Sequence, residues 1–379
     1  MTADAKSKGG LEDVVATSSS ICFIDGDRGI LAYRGYDIHD LASSATFEEV
    51  CYLLWQGRLP NRAQLGELQS QFAAARALPE GVIRLMRSLP PAETMDLLRT
   101  LASALAHFDP DAADNSPAAN YRKAVRLTAQ LGSLVATLGR VEQGGGPIQP
   151  DPAMGFAASF LYMLTGQRPD ALAAHAFDVA LVLHADHELN ASTFAARVAA
   201  ATLTDVHSAV VAGIGTLKGP LHGGANAEVM KMLLELGAAA TPEKIESTIR
   251  AKLARKEKIP GFGHRVYHTM DPRAVHLRQM SRDLGRRVGQ PQWFDMSERI
   301  EAVVKSEKKL NPNVDFYSAS TYHALGIPTG LFTPIFAVSR CAGWTAHVLE
   351  QLSNNRLIRP RAEYTGPPVP QPWIPLDAR

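Results

Sequence analysis

Apolar residues return every three or four positions along most of this chain, the period of an amphipathic helix. Only near the start does the pattern shorten to strand-like runs. There ICFID and ILAYR flank GDRG and predict a β-hairpin. Thr46-Phe47-Glu48-Glu49 has the form of a capping box ahead of the apolar VCYLLW, and Gly57 stands where a helix ends in left-handed backbone. Ser116-Pro117 opens another helix with proline at its first position. Residues 170–213, rich in Ala, Leu and Val, read as buried helices crossing the centre of a large domain.

NAEVMKMLLELG, residues 241–258 and PRAVHLRQMSRDLGRRVG are amphipathic with more charge on their outer faces, whereas SASTYHALG and PIFAVSRCAGWTAHVLEQL are apolar again. The expected class is therefore mainly α, with a short N-terminal β-hairpin. A large helical domain (1–221, resuming at 323–379) encloses a smaller helical domain (222–322). No fixed-period repeat or low-complexity linker is visible. Residues 1–10 read as a disordered lead. The last 21 residues hold six prolines, which excludes a helix and predicts a segment lying along a surface or a partner.

A length of 379 residues suits two or three domains. Lys+Arg 39 against Asp+Glu 38 gives a net charge of +1, so bulk electrostatics recruit neither nucleic acid nor anionic membrane. Any anionic ligand must be met by local arginines and lysines. Three cysteines, Cys22, Cys51 and Cys341, are too scattered for a disulfide framework or a metal site and fit a reducing compartment. With no secretory h-region and no long apolar span, the expected location is the cytoplasm.

Chemistry concentrates in three motifs: GPLHGGAN at His222, PGFGHRVYHTMDPR at His264 and NPNVDFYS at Asp315. Asp315 precedes Phe316 and Tyr317, whose bulk would desolvate a carboxylate and raise it toward the range of a general base; the bland reading is a helix N-cap. His222 precedes a helix that starts near Asn226, where the macrodipole favours neutral imidazole, a donor suited to a carbonyl becoming an enolate. A loop histidine bonded to backbone is the alternative. Gly261 and Gly263 allow something flat or phosphate-bearing to approach the backbone beside His264, and Arg265 and Arg273 add an anion site. His184 and His187, i and i+3 in LHADHELN, invite a metal reading, but the spacing is not HExxH and no third ligand is near; a pair bonding an anionic substrate or backbone fits better. Arg340 and Arg359 sit among apolar residues, where a structural salt bridge is the ordinary outcome. Arg255-Lys256-Glu257-Lys258 is a solvated helix end that can also serve phosphates.

Taken together, these motifs resemble the citrate synthase family, in the expected order from GLEDVVATSSSICFIDGDRGILAYRGYDIHDL to RPRAEYTGP. The resemblance implies that His222 holds the thioester carbonyl of acetyl-CoA, Asp315 takes the methyl proton, and His264 hydrogen-bonds and protonates the ketone oxygen of oxaloacetate. It assigns His187, Arg273, Arg340 and, from the neighbouring subunit of a homodimer, Arg359 to the dicarboxylate, with Phe336 packed against it. Asn313 and the backbone of 259–263 (Ile259, Gly261 and Gly263 included) would lie along coenzyme A. No metal and no tightly bound cofactor are implied, acetyl-CoA being a co-substrate. A closing small domain would exclude water.

At one position the chain departs from the family pattern: His268 follows HRVY where many relatives carry Lys or Arg. Phosphate binding then falls to Lys256, Lys258 or Arg265, or weakens as pH rises above the histidine pKa. The extended N-terminal domain that accompanies NADH regulation in some relatives has no counterpart here, so no such site is expected. A 2-methylcitrate synthase using propionyl-CoA is the near rival, since one methylene is worth only ~1–3 kcal/mol in an apolar pocket. A metal-dependent hydrolase built on LHADHE, or a non-catalytic binding relative, stands further off.

Overall fold

The expected hairpin forms, and more sheet than expected follows it. In the computed structural model, which describes residues 10–11 and 14–379, β1 (Cys22–Asp25) pairs antiparallel with β2 (Ile30–Tyr33), Cys22 opposite Tyr33 and Asp25 opposite Ile30. A further strand, β3 (Tyr36–Asp37), pairs back onto β2 through a turn at Arg34 (φ 50°) and Gly35 (φ 87°). Nothing in the apolar pattern marks that turn, because an arginine is seldom chosen for left-handed backbone. The disordered lead expected at 1–10 falls, but for residue 10, outside the described residues.

The helices follow as α1 (Ile38–Ser44), α2 (Phe47–Gln56), α3 (Arg62–Ala75), α4 (Glu80–Ser88), α5 (Thr94–Leu105) and α6 (Pro117–Glu142). Next come α7 (Phe156–Thr165), α8 (Ala171–His184), α9 (Ala191–Ala200) and α10 (Val206–Leu217). The last six are α11 (Ala225–Leu236), α12 (Pro242–Ala254), α13 (Pro272–Arg287), α14 (Gln292–Lys308), α15 (Val314–Ala324) and α16 (Phe332–Ser353). Local signals set many ends. At α2 the Thr46 side chain accepts from Glu49 N–H while the Glu49 carboxylate accepts from Thr46 N–H, and Gly57 closes the helix at φ 74°. Ser116 caps α6 ahead of Pro117.

The apolar stretch 170–213 forms helices, as expected, and there are three of them, Asn190 and Asp205 each capping a new start. α12 stops at Ala254, so Lys256 and Lys258 stand in the connection beyond it, Lys256 with φ 59°. α16 is buried nearly all round, against α2, α6, α8, α9 and α10. α11 to α15 pack chiefly on one another, α13 against α15 and α12 against α14, and meet the other helices through α1, α8 and α16. Beyond Ser353 the chain is mostly extended and exposed, ending in a short 3-10 turn at Leu376–Ala378, with Trp373 and Leu376 bare to solvent. No helix among the described residues is long and apolar enough to cross a membrane.

Candidate active site

α8 ends at His184, so His187 lies in the loop after it and does not share a helix face with His184 as the i, i+3 spacing implied. His184 turns inward: its Nδ1–H donates to Ala180 O (2.7 Å), its ring faces Phe336, and burial pulls its pKa down to about 3. His187 instead enters the site, sharing a hydrogen bond with the Tyr267 hydroxyl (3.2 Å), its ring centre 5.2 Å from that of His264. Burial, then Arg273, His264 and Arg340, holds it well below the usual histidine range. Among the described residues no group of three His, Cys, Asp or Glu side chains is arranged to hold a metal ion.

The loop carrying His187 is fastened from below. Gly343 N–H donates to Ala185 O (3.1 Å), and a Cβ at Gly343 would meet both that oxygen and Asp186 Oδ1 at 2.4 Å. Fully buried Asp186 accepts from His347 Nε2 (3.3 Å), whose Nδ1 accepts from Arg197 Nη1 (3.1 Å). An arginine can only donate, so that contact fixes the His347 tautomer. Sequence spacing gave no sign of this chain, whose links span some 150 residues.

His222 lies in the turn before α11. Gly223 is required there, since a Cβ would fall 2.4 Å from Leu217 O. Ser192 N–H donates to His222 Nε2 (3.3 Å) and the Ser192 hydroxyl lies 2.8 Å from the same nitrogen, while Trp344 Nε1–H donates to the hydroxyl oxygen (3.0 Å). Nε2 being an acceptor, the neutral ring carries its proton on Nδ1. Burial first, and Arg340 second, lowers its pKa to about 4. The neutral state expected from the helix dipole is thus produced mainly by desolvation. Ser192 was not foreseen, being an ordinary capping-type residue at the start of α9.

His264 shows the complementary tautomer. Its Nδ1 accepts from Val266 N–H (3.0 Å) and Tyr267 N–H (3.1 Å), leaving Nε2–H as the donor, and burial followed by Arg273 lowers its pKa to about 4. Two neutral imidazoles therefore offer one N–H each.

Asp315 is the second residue of α15; the N-cap is Asn313, whose Oδ1 accepts from Asp315 N–H (3.0 Å). Burial pushes the Asp315 carboxyl up to about 6, against the opposing pull of Arg273. Its sequence neighbours lie elsewhere: Phe316 packs on Phe262, and Tyr317 bonds Glu301 on the α14 side. One step along a helix turns a side chain by about 100°. Tyr322, seven residues on and so on the same face, is the ring whose phenol feels the Asp315 charge.

Two arginines complete the cluster. Arg273 is buried and bidentate to Asp271 (Nε–Oδ1 2.9 Å, Nη2–Oδ2 2.8 Å). Arg340, 1% exposed, donates Nε–H to His184 O (2.8 Å) and stands 4.8 Å over the Phe336 ring. It has no carboxylate in ion-pair contact among the described residues, against the salt bridge expected for it, and burial lowers its pKa. A buried cation whose charge is met by Asp186 only at longer range suits an anionic ligand.

The remaining expected residues divide. Gly261 (φ 80°) presses on Phe316, where a Cβ would come within 2.9 Å, and Ile259 is buried. At Gly263 (φ 77°) a Cβ would meet only Leu310 Cδ2, at an ordinary contact distance of 3.9 Å. Asn313 Nδ2–H donates to Gly263 O (2.9 Å), so both ends of that side chain serve the protein itself. Lys256, Lys258 and Arg265 are exposed, as is Arg359, which lies in the tail and outside this chain's own cluster. A cavity of about 280 Å³ opens between the 263–271 loop and residues 309–313, with His264, Tyr267 and Asp271 in its wall.

The family model described as "Citrate synthase, C-terminal domain" matches residues 10–361. The chain belongs to the citrate synthase family. It is 55% identical over 372 residues to Citrate synthase 2 of Bacillus subtilis, 98% of each chain being covered. The solved citrate synthase of Pyrobaculum aerophilum superposes with a TM-score of 0.90 at 43% identity, covering 98% of this chain and 95% of that one. Citrate synthase of Thermoplasma acidophilum, solved as a ternary complex with carboxymethyl coenzyme A and oxaloacetate, superposes with a TM-score of 0.89 at 31% identity, 98% of each chain being covered. Family membership and a mainly helical citrate synthase fold therefore stand together.

Proposed function

We propose that this enzyme condenses acetyl-CoA with oxaloacetate and hydrolyses the citryl thioester to citrate and CoA, with no tightly bound cofactor. The observation that carries the reading is the buried Arg340, in no direct ion pair among the described residues, beside one raised carboxylate and two neutral imidazoles of opposite tautomer. A thioester methyl is a weak carbon acid, so the base needs help: Asp315 takes the proton while His222 Nδ1–H holds the oxygen that becomes negative. The enolate carbon then bonds the ketone carbon of oxaloacetate, whose oxygen accepts from His264 Nε2–H and ends as the citrate hydroxyl. His187, Arg273 and Arg340 hold the dicarboxylate against Phe336, and Arg359 joins them from a second copy in a homodimer. Water then cleaves the thioester. Residues 222–322 act as the small domain that closes over the substrates. Coenzyme A lies along 259–263 and Asn313, its phosphates near Lys256, Lys258 and Arg265. The three free cysteines, two of them buried, accord with the cytoplasm.

His268 already has a carboxylate beside it, its Nδ1 lying 2.7 Å from Asp27 Oδ1 at the hairpin tip, which favours the lysines for phosphate. The test replaces Asp315 with Asn and compares acyl donors on the parent enzyme. Turnover should fall at least ~10³-fold while oxaloacetate still binds, and kcat/KM should favour acetyl-CoA over propionyl-CoA. Retained turnover in the variant sinks the base assignment. A tenfold preference for propionyl-CoA makes the enzyme a 2-methylcitrate synthase.

A further inference from the structure

The β1–β2 hairpin touches both halves of the proposed oxaloacetate site. At its base, the buried Tyr33 hydroxyl donates to Asp186 O (2.9 Å) and accepts from Asp186 N–H (3.2 Å), directly before His187. At its tip, Gly26 O accepts from His268 N–H (3.0 Å). The approach is so close that a Cβ at Gly26 would stand 2.0 Å from Val266 O and 2.9 Å from Val266 C. Gly29 (φ 67°) lies near the next residues, less tightly, its Cβ position 2.9 Å from Thr269 Cγ2 and 3.1 Å from Met270 O.

Val266 is the residue whose N–H donates to His264 Nδ1. The contact at Gly26 and one of the two hydrogen bonds that orient the imidazole are therefore on the same residue, and the other comes from Tyr267, next along the backbone. Gly26 does not have the positive φ that favours glycine, so its requirement comes from the packed backbone alone. Gly35, in the same small sheet, is the reverse case, with φ 87° and open space where a Cβ would go.

We propose that the first β-hairpin positions the ketone-polarising histidine: Tyr33 fixes it to the His187 loop, and Gly26 sets the place of Val266 and through it of His264. Gly26 and Tyr33 are positioning residues, since neither touches substrate. The proposal rests on the assignment of His264 to the ketone oxygen. An alanine at position 26 must push the 266–268 backbone away, and the backbone cannot yield as a flexible side-chain end would. A displacement near 1 Å at a catalytic group costs on the order of 10²-fold in rate.

The experiment uses the full-length enzyme and oxaloacetate labelled with ¹³C at the ketone carbon. In the parent enzyme, binding should move that resonance downfield, as a donor polarises the carbonyl. Gly26→Ala should bring it back toward the free value and lower kcat by about 10- to 100-fold, with the acetyl-CoA KM changed less than about threefold. Gly35→Ala, strained but remote from the loop, should retain both the shift and the kcat. An unchanged shift and kcat in Gly26→Ala overturns the proposal, as does an equal loss in Gly35→Ala. If Gly26→Ala does not fold, Tyr33→Phe carries the test, with a smaller shift expected and an unchanged one counting against it. A parent enzyme that leaves the bound ketone unshifted refutes the His264 assignment itself, a result distinct from failure of the hairpin's role.

Discussion

Burial and charge divide the titrating residues of the site into one base and two donors. Asp315, at about 6, is ionised at neutral pH yet close enough to it to accept a proton from carbon, while His222 and His264, at about 4, stay uncharged. The pH profile of kcat/KM should therefore fall tenfold per unit below about pH 6, as Asp315 takes up its proton, and level off above about pH 7. Neither histidine should add a second limb above pH 5. A flat profile between pH 5 and 7 contradicts this division of roles. The residues themselves were legible from their motifs. What desolvates Asp315 was not, because adjacency in sequence points side chains to different faces of a helix. Nor were Ser192, Asp186 and His347, whose partners lie far along the chain and leave no periodic trace.

Among the elements, α2 was legible at both ends because a capping box and a left-handed glycine are local chemistry. Its surroundings were not. The α2 N-terminus carries buried Glu48, which accepts from Phe156 N–H (2.7 Å), and Asp178 of α8, which accepts from Phe47 N–H (3.2 Å). Burial, and next the charge of Glu48, pushes the Asp178 carboxyl up from 3.8 to about 7. Between those values the folded state binds the proton and the unfolded state does not, so this group's contribution to stability declines as pH rises from about 4 to 7 and is lost above that. At ~1.4 kcal/mol per unit the upper bound is on the order of 4 kcal/mol. Urea unfolding at pH 5.5 and pH 8 should show Asp178→Asn stabilising the protein at the higher pH and flattening its pH dependence. An identical pH dependence in the variant removes Asp178 as the cause.

The whole molecule adds a requirement that no single chain meets, for Arg359 sits in an exposed tail outside the cluster it is proposed to serve. If it acts across a homodimer, mixing Asp315→Asn subunits with Arg359→Ala subunits should restore activity. Each hybrid then has one site with both residues intact and one with neither. Refolded mixtures should exceed the summed activity of the two parents severalfold; if Arg359 acts within its own chain, no hybrid site is intact and no gain appears. The helical class and the extended tail were readable from periodicity and proline content. The small sheet's third strand and the breaks within 170–213 were not, since they turn on an arginine in left-handed backbone and on single capping residues. Arg340 has a consequence for the molecule's lifetime. An enclosed cation in ion-pair contact with no carboxylate among the described residues, its charge offset by Asp186 only at longer range, makes the empty fold less secure than the occupied one. A cell short of dicarboxylate would hold more of this protein in opened states, where proteases cut, and supply of substrate would slow its turnover as a polypeptide.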